Sequence, residues 1–298
     1  MTKQTTTLFL ICALLLSACG NSTTKNSDSN SDTNQVQQQS QEGGITSSTP
    51  TANQPKVESS NAPVAIEEEN KLPTTDASPQ EAPIELKYHM NKNYDIIPND
   101  EATPKKVVLL TFDDGPKEEV MINSLIDTLD KHHAKAIFFV NGYKVKENPD
   151  LLKLIHDRQQ IIGNHSWDHI VLKSESETEV KKQIEDVQKA VKDVTGEAPV
   201  FFRPPHGAGG DVGKKVAKEN GMLYMTWSNG SLDWEMKKSD TNKTTKIIKN
   251  VTDQLHSGSN ILMHELPWTV EALETLLVEL EGRGYTFVDP RSIELEMR

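Results

Sequence analysis

The sequence predicts an α/β fold: a parallel β-sheet, closed or open, covered by helices and preceded by a long segment without a core. Three observations predict it. Short apolar runs rich in Val, Ile, Leu and Phe recur seven times between residues 107 and 288. Between them stand segments with apolar residues at three- and four-residue spacing, and strands alternating with helices imply parallel pairing. The residues able to do chemistry gather at the ends of the apolar runs.

The strand candidates are 107–112, 136–140, 160–163, 200–202, 222–227, 260–263 and 285–288. Each is of strand length and bounded by polar or turn-forming residues. Helices are predicted over 120–129, 149–157, 177–194, 212–220, 244–255 and 270–280. Thr178 ahead of Lys181 and Lys182 signals a helix start, and Gly196, Gly221 and Gly258 signal helix ends. In closed barrels of this class the chemistry sits at the carboxyl ends of the strands. Asp113 and Asp114 follow the first strand, His165 and His169 the third and Arg203 the fourth. Asp233 lies beyond the fifth and His264 ends the sixth, so five strand ends are expected to share one rim.

The first third of the 298-residue chain has a different character. Leu8 to Leu16 form an apolar run behind Lys3, too short to span a bilayer comfortably and placed like a secretory signal. It ends in Leu16-Ser17-Ala18-Cys19-Gly20, which resembles the lipobox of bacterial lipoproteins, where the cysteine thiol receives a lipid before cleavage. Residues 1–18 are therefore expected to be a signal peptide and Cys19 a lipid anchor to the outer face of the cell membrane. Residues 19–85 are dominated by Ser, Thr, Asn, Gln, Pro and acidic side chains, with too little apolar surface to offset the entropy of ordering. They are expected to act as a flexible tether with a reach on the order of 50 Å. The folded domain is placed at 86–298.

Charge and cysteine usage narrow the chemistry. A formal net charge of −12 argues against nucleic acid as a partner, because neutralising phosphates takes clustered Lys and Arg. The acidic run Glu67-Glu68-Glu69 reads as a solvated part of the tether. Of the two cysteines, Cys12 would be removed with the signal and Cys19 lipidated. No disulfide or thiolate metal site would then remain, and a metal would be held by His, Asp or Glu.

Taken singly, the polar motifs are weak. Thr111-Phe112-Asp113-Asp114-Gly115-Pro116 puts two carboxylates where a strand stops; adjacent residues there point in different directions, so one can hold a metal while the other faces a substrate. An ordinary Asp-Gly turn is the plain alternative. His165-Ser166-Trp167-Asp168-His169 places two imidazoles four apart, a spacing that would bring them to one face of a helical turn and suits a divalent cation. With Asp114 they would form a three-ligand set with an open position. Phe202-Arg203-Pro204-Pro205-His206-Gly207 holds a cation on a stiff loop, where Arg203 could orient a carboxylate through a bidentate contact or be an ordinary surface arginine. Leu262-Met263-His264 ends a strand in an imidazole, and Asp233 of Leu232-Asp233-Trp234 could pair with it and keep it protonated.

Together and in this order, these segments resemble the five motifs of the NodB-type polysaccharide deacetylases, carbohydrate esterase family four, across about residues 105–289. The resemblance implies a distorted (β/α) barrel with about seven strands. It implies Asp114, His165 and His169 as metal ligands, commonly for zinc, and Asp113 as general base held by Arg203. The backbone N–H of His206 would face the oxyanion, His264 would be the general acid supported by Asp233, and Trp234 and Leu262 would shape the acetyl pocket. Three positions depart from the family pattern: His206 stands where Tyr is usual, Gly230 where an acidic residue is usual and Glu265 where Asp is frequent. The implied activity is metal-dependent removal of N-acetyl groups from an amino-sugar polymer by a monomer. For a lipoprotein on a long tether the first substrate is peptidoglycan, at N-acetylglucosamine or N-acetylmuramic acid units. Chitin-like or O-acetylated polysaccharides remain open, as does a non-catalytic wall-binding lipoprotein.

Overall fold

A computed structural model describes residues 84–298; residues 1–83, with the signal segment, Cys19 and nearly all of the tether, lie outside the described residues. In chain order the elements are β1 (Tyr88–Met90), β2 (Ile96–Pro98), β3 (Val107–Gly115), α1 (Glu119–Lys131), β4 (Ala136–Val140), α2 (Gly142–Glu147), α3 (Pro149–Asp157), β5 (Ile161–Asn164) and α4 (Glu177–Thr195). There follow β6 (Phe201–Phe202), α5 (Gly210–Glu219), β7 (Leu223–Tyr224), β8 (Asn229–Gly230), α6 (Lys243–Gln254), β9 (Ser259–His264), α7 (Pro267–Gly282), β10 (Thr286–Phe287) and β11 (Ile293–Met297). Among the described residues no helix is long and apolar enough to cross a membrane.

The main sheet runs β7-β6-β5-β4-β3-β9-β8, with parallel pairing throughout, and curls as a distorted barrel. It contains all seven strands that the sequence suggests and one more. The two-residue β8, too short to leave a pattern, takes a place in the path, and β10 pairs with the start of β3 off it. A small second sheet, β11-β1-β2, also escapes the sequence reading, as does the six-residue α2.

Strand alternation divides β3 between two environments. Val108, Leu110 and Phe112 pack outward with Ile122, Leu125, Leu273 and Leu276 of α1 and α7. Val107 and Leu109 face inward onto Phe139, Met225 and the residues Met90, Ile96 and Ile293 of the second sheet. The inward face continues with Thr111 and Asp113, so it is apolar at one end of the barrel and polar at the other. Gly258, before β9, has φ +85°, and a Cβ there would lie 2.2 Å from the carbonyl oxygen of Ile96, so only glycine fits beside the second sheet.

Of two expected signals on one helix, the first moves and the second holds. α4 is capped by Ser176, whose side chain accepts from the N–H of Glu179, and not at Thr178. Gly196 ends the same helix in the left-handed conformation, as its sequence position suggested.

Candidate active site

Parallel register builds one side of the site. Asp113 on β3 stands directly opposite His264 on β9, and Asn164 on β5 opposite Phe202 on β6, which brings His165 beside Arg203. Arg203 is fully buried rather than a surface residue of a proline-rich turn. Its Nη1 donates to Asp113 Oδ1 and to Thr111 Oγ1, each at 2.7 Å. The remaining guanidinium donors go to the Thr226 carbonyl at 2.8 and 3.1 Å and to Asn260 Oδ1 at 3.2 Å. The contact with Asp113 is therefore through one nitrogen, not bidentate, because the rest of the fork is used to anchor the arginine. A buried charge held this way can fix a buried carboxylate without leaving donors unpaired. Asp113 Oδ2 lies 3.7 Å from His165 Nε2 and is left able to accept a proton.

His165 and His169 do come together with Asp114, but on a loop and not on a helical turn. Ser166 at φ 64° and His169 at φ 57° bend the chain so that both rings return to Asp114, itself at φ 66°. Asp114 Oδ1 is 3.1 Å from His169 Nε2 and 3.5 Å from His165 Nε2. Although buried and so close to two ring nitrogens, that oxygen accepts no aligned hydrogen bond. The ligand atoms of the three residues lie within 4.8 Å of one another. His165 Nδ1 sits 2.7 Å from the Arg203 carbonyl, which can only accept, so the proton is on Nδ1 and Nε2 offers a lone pair. Burial holds the His165 pKa down against the charges of Asp113 and Asp114, which favours the neutral ligand form. For Asp114, burial is outweighed by the His169 contact and the charges of His165, His169 and His264, and its carboxyl stays well below the usual range. An orphaned buried acceptor facing two imidazoles fits a divalent cation, and the N, N, O donor set suits a transition metal.

Opposite them, His264 Nδ1 lies 2.8 Å from Asp233 Oδ1. Asp233 Oδ2 accepts from the His264 N–H at 2.7 Å and from Thr269 Oγ1 at 2.6 Å, and the carboxylate is fully buried. Burial alone would lower the His264 pKa; the hydrogen bond and charge of Asp233, with those of Asp113 and Asp114, raise it instead. Trp234, partly exposed, sets its ring edge-on to His264 with centroids 5.3 Å apart, and Leu262 is buried on the same inward face of β9 as His264. His206, at φ 57°, places its ring 4.8 Å from that of His169.

The departing positions have physical consequences. A Cβ on Gly230 would come 3.3 Å from the Trp234 ring, so a larger residue there would need Trp234 to move. Glu265 is buried; its Oε1 accepts from the N–H groups of Lys117 and Glu118 at 2.8 and 3.0 Å, tying the end of β9 to the loop after β3.

Sequence reasoning missed the residues that hold the ligand loop. Asn141 Nδ2 donates to the His165 carbonyl, Asn164 Oδ1 accepts from the Ser166 N–H, and Gln183 on α4 bonds both the backbone and the carboxylate of Asp168. The first turn of α2 donates from Gly142 and Tyr143 to the carbonyls of Ser166 and Trp167. A Cβ on Gly142 would meet the Trp167 ring at 2.1 Å. The partners Asn141 and Gln183 stand 24 and 15 residues from the groups they bind, and no local sequence pattern marks them. Cavities of about 370 and 780 Å³ elsewhere on the domain contain none of the clustered site residues. Chemistry, not depth, locates the site.

Comparison with known proteins agrees with this geometry. The profile of the family described as polysaccharide deacetylase matches residues 100–225. The peptidoglycan-N-acetylglucosamine deacetylase PgdA of Listeria monocytogenes is 42% identical over 188 residues, 63% of this chain and 38% of that protein, so the match spans well under half of that relative's length. The peptidoglycan-N-acetylmuramic acid deacetylase PdaA of Bacillus subtilis is 32% identical over 200 residues, 66% of this chain and 75% of that one. Among solved structures, BA3943 of Bacillus anthracis, a pseudoenzyme of carbohydrate esterase family four, superposes with a TM-score of 0.58 at 31% identity, over 61% of this chain and 63% of that one. With the ordered motifs, the curled parallel sheet and a relative 32% identical that is matched over 75% of its length, the chain belongs to the polysaccharide deacetylase family.

Proposed function

We propose that the protein is a metal-dependent N-deacetylase of peptidoglycan, acting as a monomer that is lipid-anchored through Cys19 on the outer face of the cell membrane. The observation that carries the reading is the Asp114, His165 and His169 cluster beside an arginine-held Asp113, with a carboxylate-supported His264 opposite. Non-catalytic members exist in the family, and here no member of that set is missing. Relatives named for action on both N-acetylglucosamine and N-acetylmuramic acid units support the glycan and leave the unit open.

Asp114, His165 and His169 would hold the cation, for which zinc suits the donor set, and it would supply Lewis-acid polarisation of the acetyl carbonyl. Asp113 Oδ2 takes a proton from the attacking water while Arg203 holds the other carboxylate oxygen. The His206 backbone N–H contributes a hydrogen bond to the oxyanion. His264, kept protonated by Asp233, gives its proton to the departing nitrogen, so the C–N bond breaks to acetate and a free amine. Trp234 and Leu262 border the space for the acetyl methyl.

The test is mass spectrometry of N-acetylglucosamine oligomers and muropeptides after incubation with the protein and zinc, with acetate measured in parallel. Loss of one acetyl mass per site is expected; unchanged masses in both substrates would sink the reading. The anchor is tested separately. Cys19→Ala should move the protein from the membrane fraction to the soluble one with specific activity retained, and continued membrane association would remove the lipid from the proposal.

A further inference from the structure

The main sheet ends at β7 and the second sheet at β11. Both strands line the cavity of about 780 Å³, β7 through Leu223 and Tyr224 and β11 through Leu295 and Met297. Lysines line it from two further elements: Lys214 and Lys218 from α5, and Lys92 from the turn between β1 and β2, which also brings Tyr94. Against these three ammoniums the lining holds one carboxylate, Glu296, although the chain as a whole carries a net charge of −12. Lys214 Nζ lies 5.9 Å from the centroid of the Tyr224 ring, and its ion pair with Asp211, at 4.0 Å, is open to solvent. Among the described residues Lys92 and Lys218 make no hydrogen bond or ion pair. Tyr224 is held in place: its ring stands 5.8 Å from that of Phe202, and a Cβ on Gly209 would lie 2.7 Å from its hydroxyl oxygen. Leu295 and Met297 are exposed.

Three ammoniums with little internal pairing, two aromatic rings and exposed aliphatic side chains in one concave groove fit a chain-like ligand that carries anions and apolar faces together. Sugar rings have such faces, made of C–H groups, and pack them on aromatic side chains. A membrane surface would be met by protruding apolar side chains, not recessed ones. We infer that this groove binds a glycan strand away from the catalytic rim, taking the carboxylates of its peptide stems on Lys92, Lys214 and Lys218 and its sugar faces on Tyr94 and Tyr224. None of the clustered site residues lines the groove, so it attaches the polymer without entering the chemistry. A second attachment on the same strand raises the local concentration of acetylated units at the rim. The inference rests on the peptidoglycan reading above and adds to it a separate binding site for that polymer.

The test uses the full chain carrying Cys19→Ala, so that a lipid plays no part, loaded with zinc. Binding is measured by calorimetry with soluble, uncrosslinked glycan strands that bear free stem carboxylates. Acetate release is measured on the same strands and on a neutral N-acetylglucosamine tetramer. Lys92→Gln, Lys214→Gln and Lys218→Gln combined should weaken strand binding about tenfold, the joint scale of several exposed charge contacts. KM on strands should rise in step, with kcat and the rate on the tetramer unchanged. Arg at the same three positions should keep the affinity, and the difference between parent and Gln variant should shrink with added salt. Strands with amidated stems should bind the parent as weakly as the free acids bind the Gln variant. Unchanged strand affinity in the Gln variant, with zinc content and tetramer rate at the parent level, overturns the groove and leaves the deacetylase reading in place. A larger lysine-dependent affinity for polyglycerol phosphate or for phosphatidylglycerol vesicles than for the strands overturns the assigned ligand. No acetate from either substrate overturns the deacetylase reading, while the binding comparison still decides the groove.

Discussion

On the β3 and β5 side of the rim, Asp114, His165 and His169 converge on a buried carboxylate oxygen that no donor satisfies, whereas on the β9 side both oxygens of Asp233 are engaged by His264 and Thr269. The first side has polar capacity that a ligand must complete. The second is complete by itself, with its proton donor oriented and its protonated form favoured before any substrate arrives. The difference teaches where each kind of sensitivity should lie: loss of a group on the first side shows in metal content, on the second in pH dependence and stability. Asp113 belongs to neither side, since Arg203 saturates one oxygen and leaves the other exposed to the centre.

The largest expected effect separates the neighbouring carboxylates. Asp114→Ala, or removal of either His165 or His169, should abolish zinc binding and activity together. Asp113→Asn preserves all three ligand atoms, so zinc should stay near one per chain while kcat falls roughly 10²- to 10⁴-fold, the usual worth of a general base. Elemental analysis beside acetate release checks both. Metal loss in Asp113→Asn with retention in Asp114→Ala would exchange the two roles and break the comparison.

Asp233→Asn should act on the other side, through pH. The His264 pKa is raised in the folded protein, so the pair stabilises the fold fully below the ordinary imidazole value of about 6.5, and this is lost as pH rises through the higher folded value. The variant should therefore be destabilised more at pH 6 than at pH 9, and its alkaline activity limb should move to lower pH with zinc unchanged. A pH-rate profile with an unmoved alkaline limb would deny Asp233 its role in supporting the acid.

The smallest effect sharpens the same point. Thr269→Val removes one of three hydrogen bonds to the Asp233 carboxylate and keeps the size of the side chain. It should cost about 1–2 kcal/mol of stability, lowering Tm by roughly 2–4 °C per kcal/mol for a domain of this size. Metal content should not change. A thermal scan showing loss of zinc in this variant would mean that the two sides are coupled and not separately built.

Much of this was legible in the chain itself. Local order along β3 settles its inward row of Val107, Leu109, Thr111 and Asp113, because a strand alternates its faces whatever it pairs with. The spacing of the apolar residues likewise placed α3 and most of α4, since an amphipathic stripe over two turns or more has one stable way to be buried. The motif residues, read in order, named the groups that the fold brings together: Asp114, His165 and His169 on one side, Asp113 beside them and Asp233 with His264 opposite. Some short elements were not legible: β8 is held by its pairing with β9 and α2 by its contacts with the loop of His165, so neither has a pattern of its own.

What only the tertiary structure decided is how the motif residues are aimed. His165 and His169 meet Asp114 because two left-handed residues bend their loop and Asn141, Asn164 and Gln183 hold it, not because of a helical spacing. Arg203 meets Asp113 through a single nitrogen because Thr226 and Asn260, distant in sequence, claim its other donors. The tautomer of His165 is set by a carbonyl 38 residues away. Sequence determines which groups a strand end presents, since that follows from local geometry. Which of their atoms are already satisfied, and which remain free for a metal or a proton, depends on partners that only folding brings within hydrogen-bond distance.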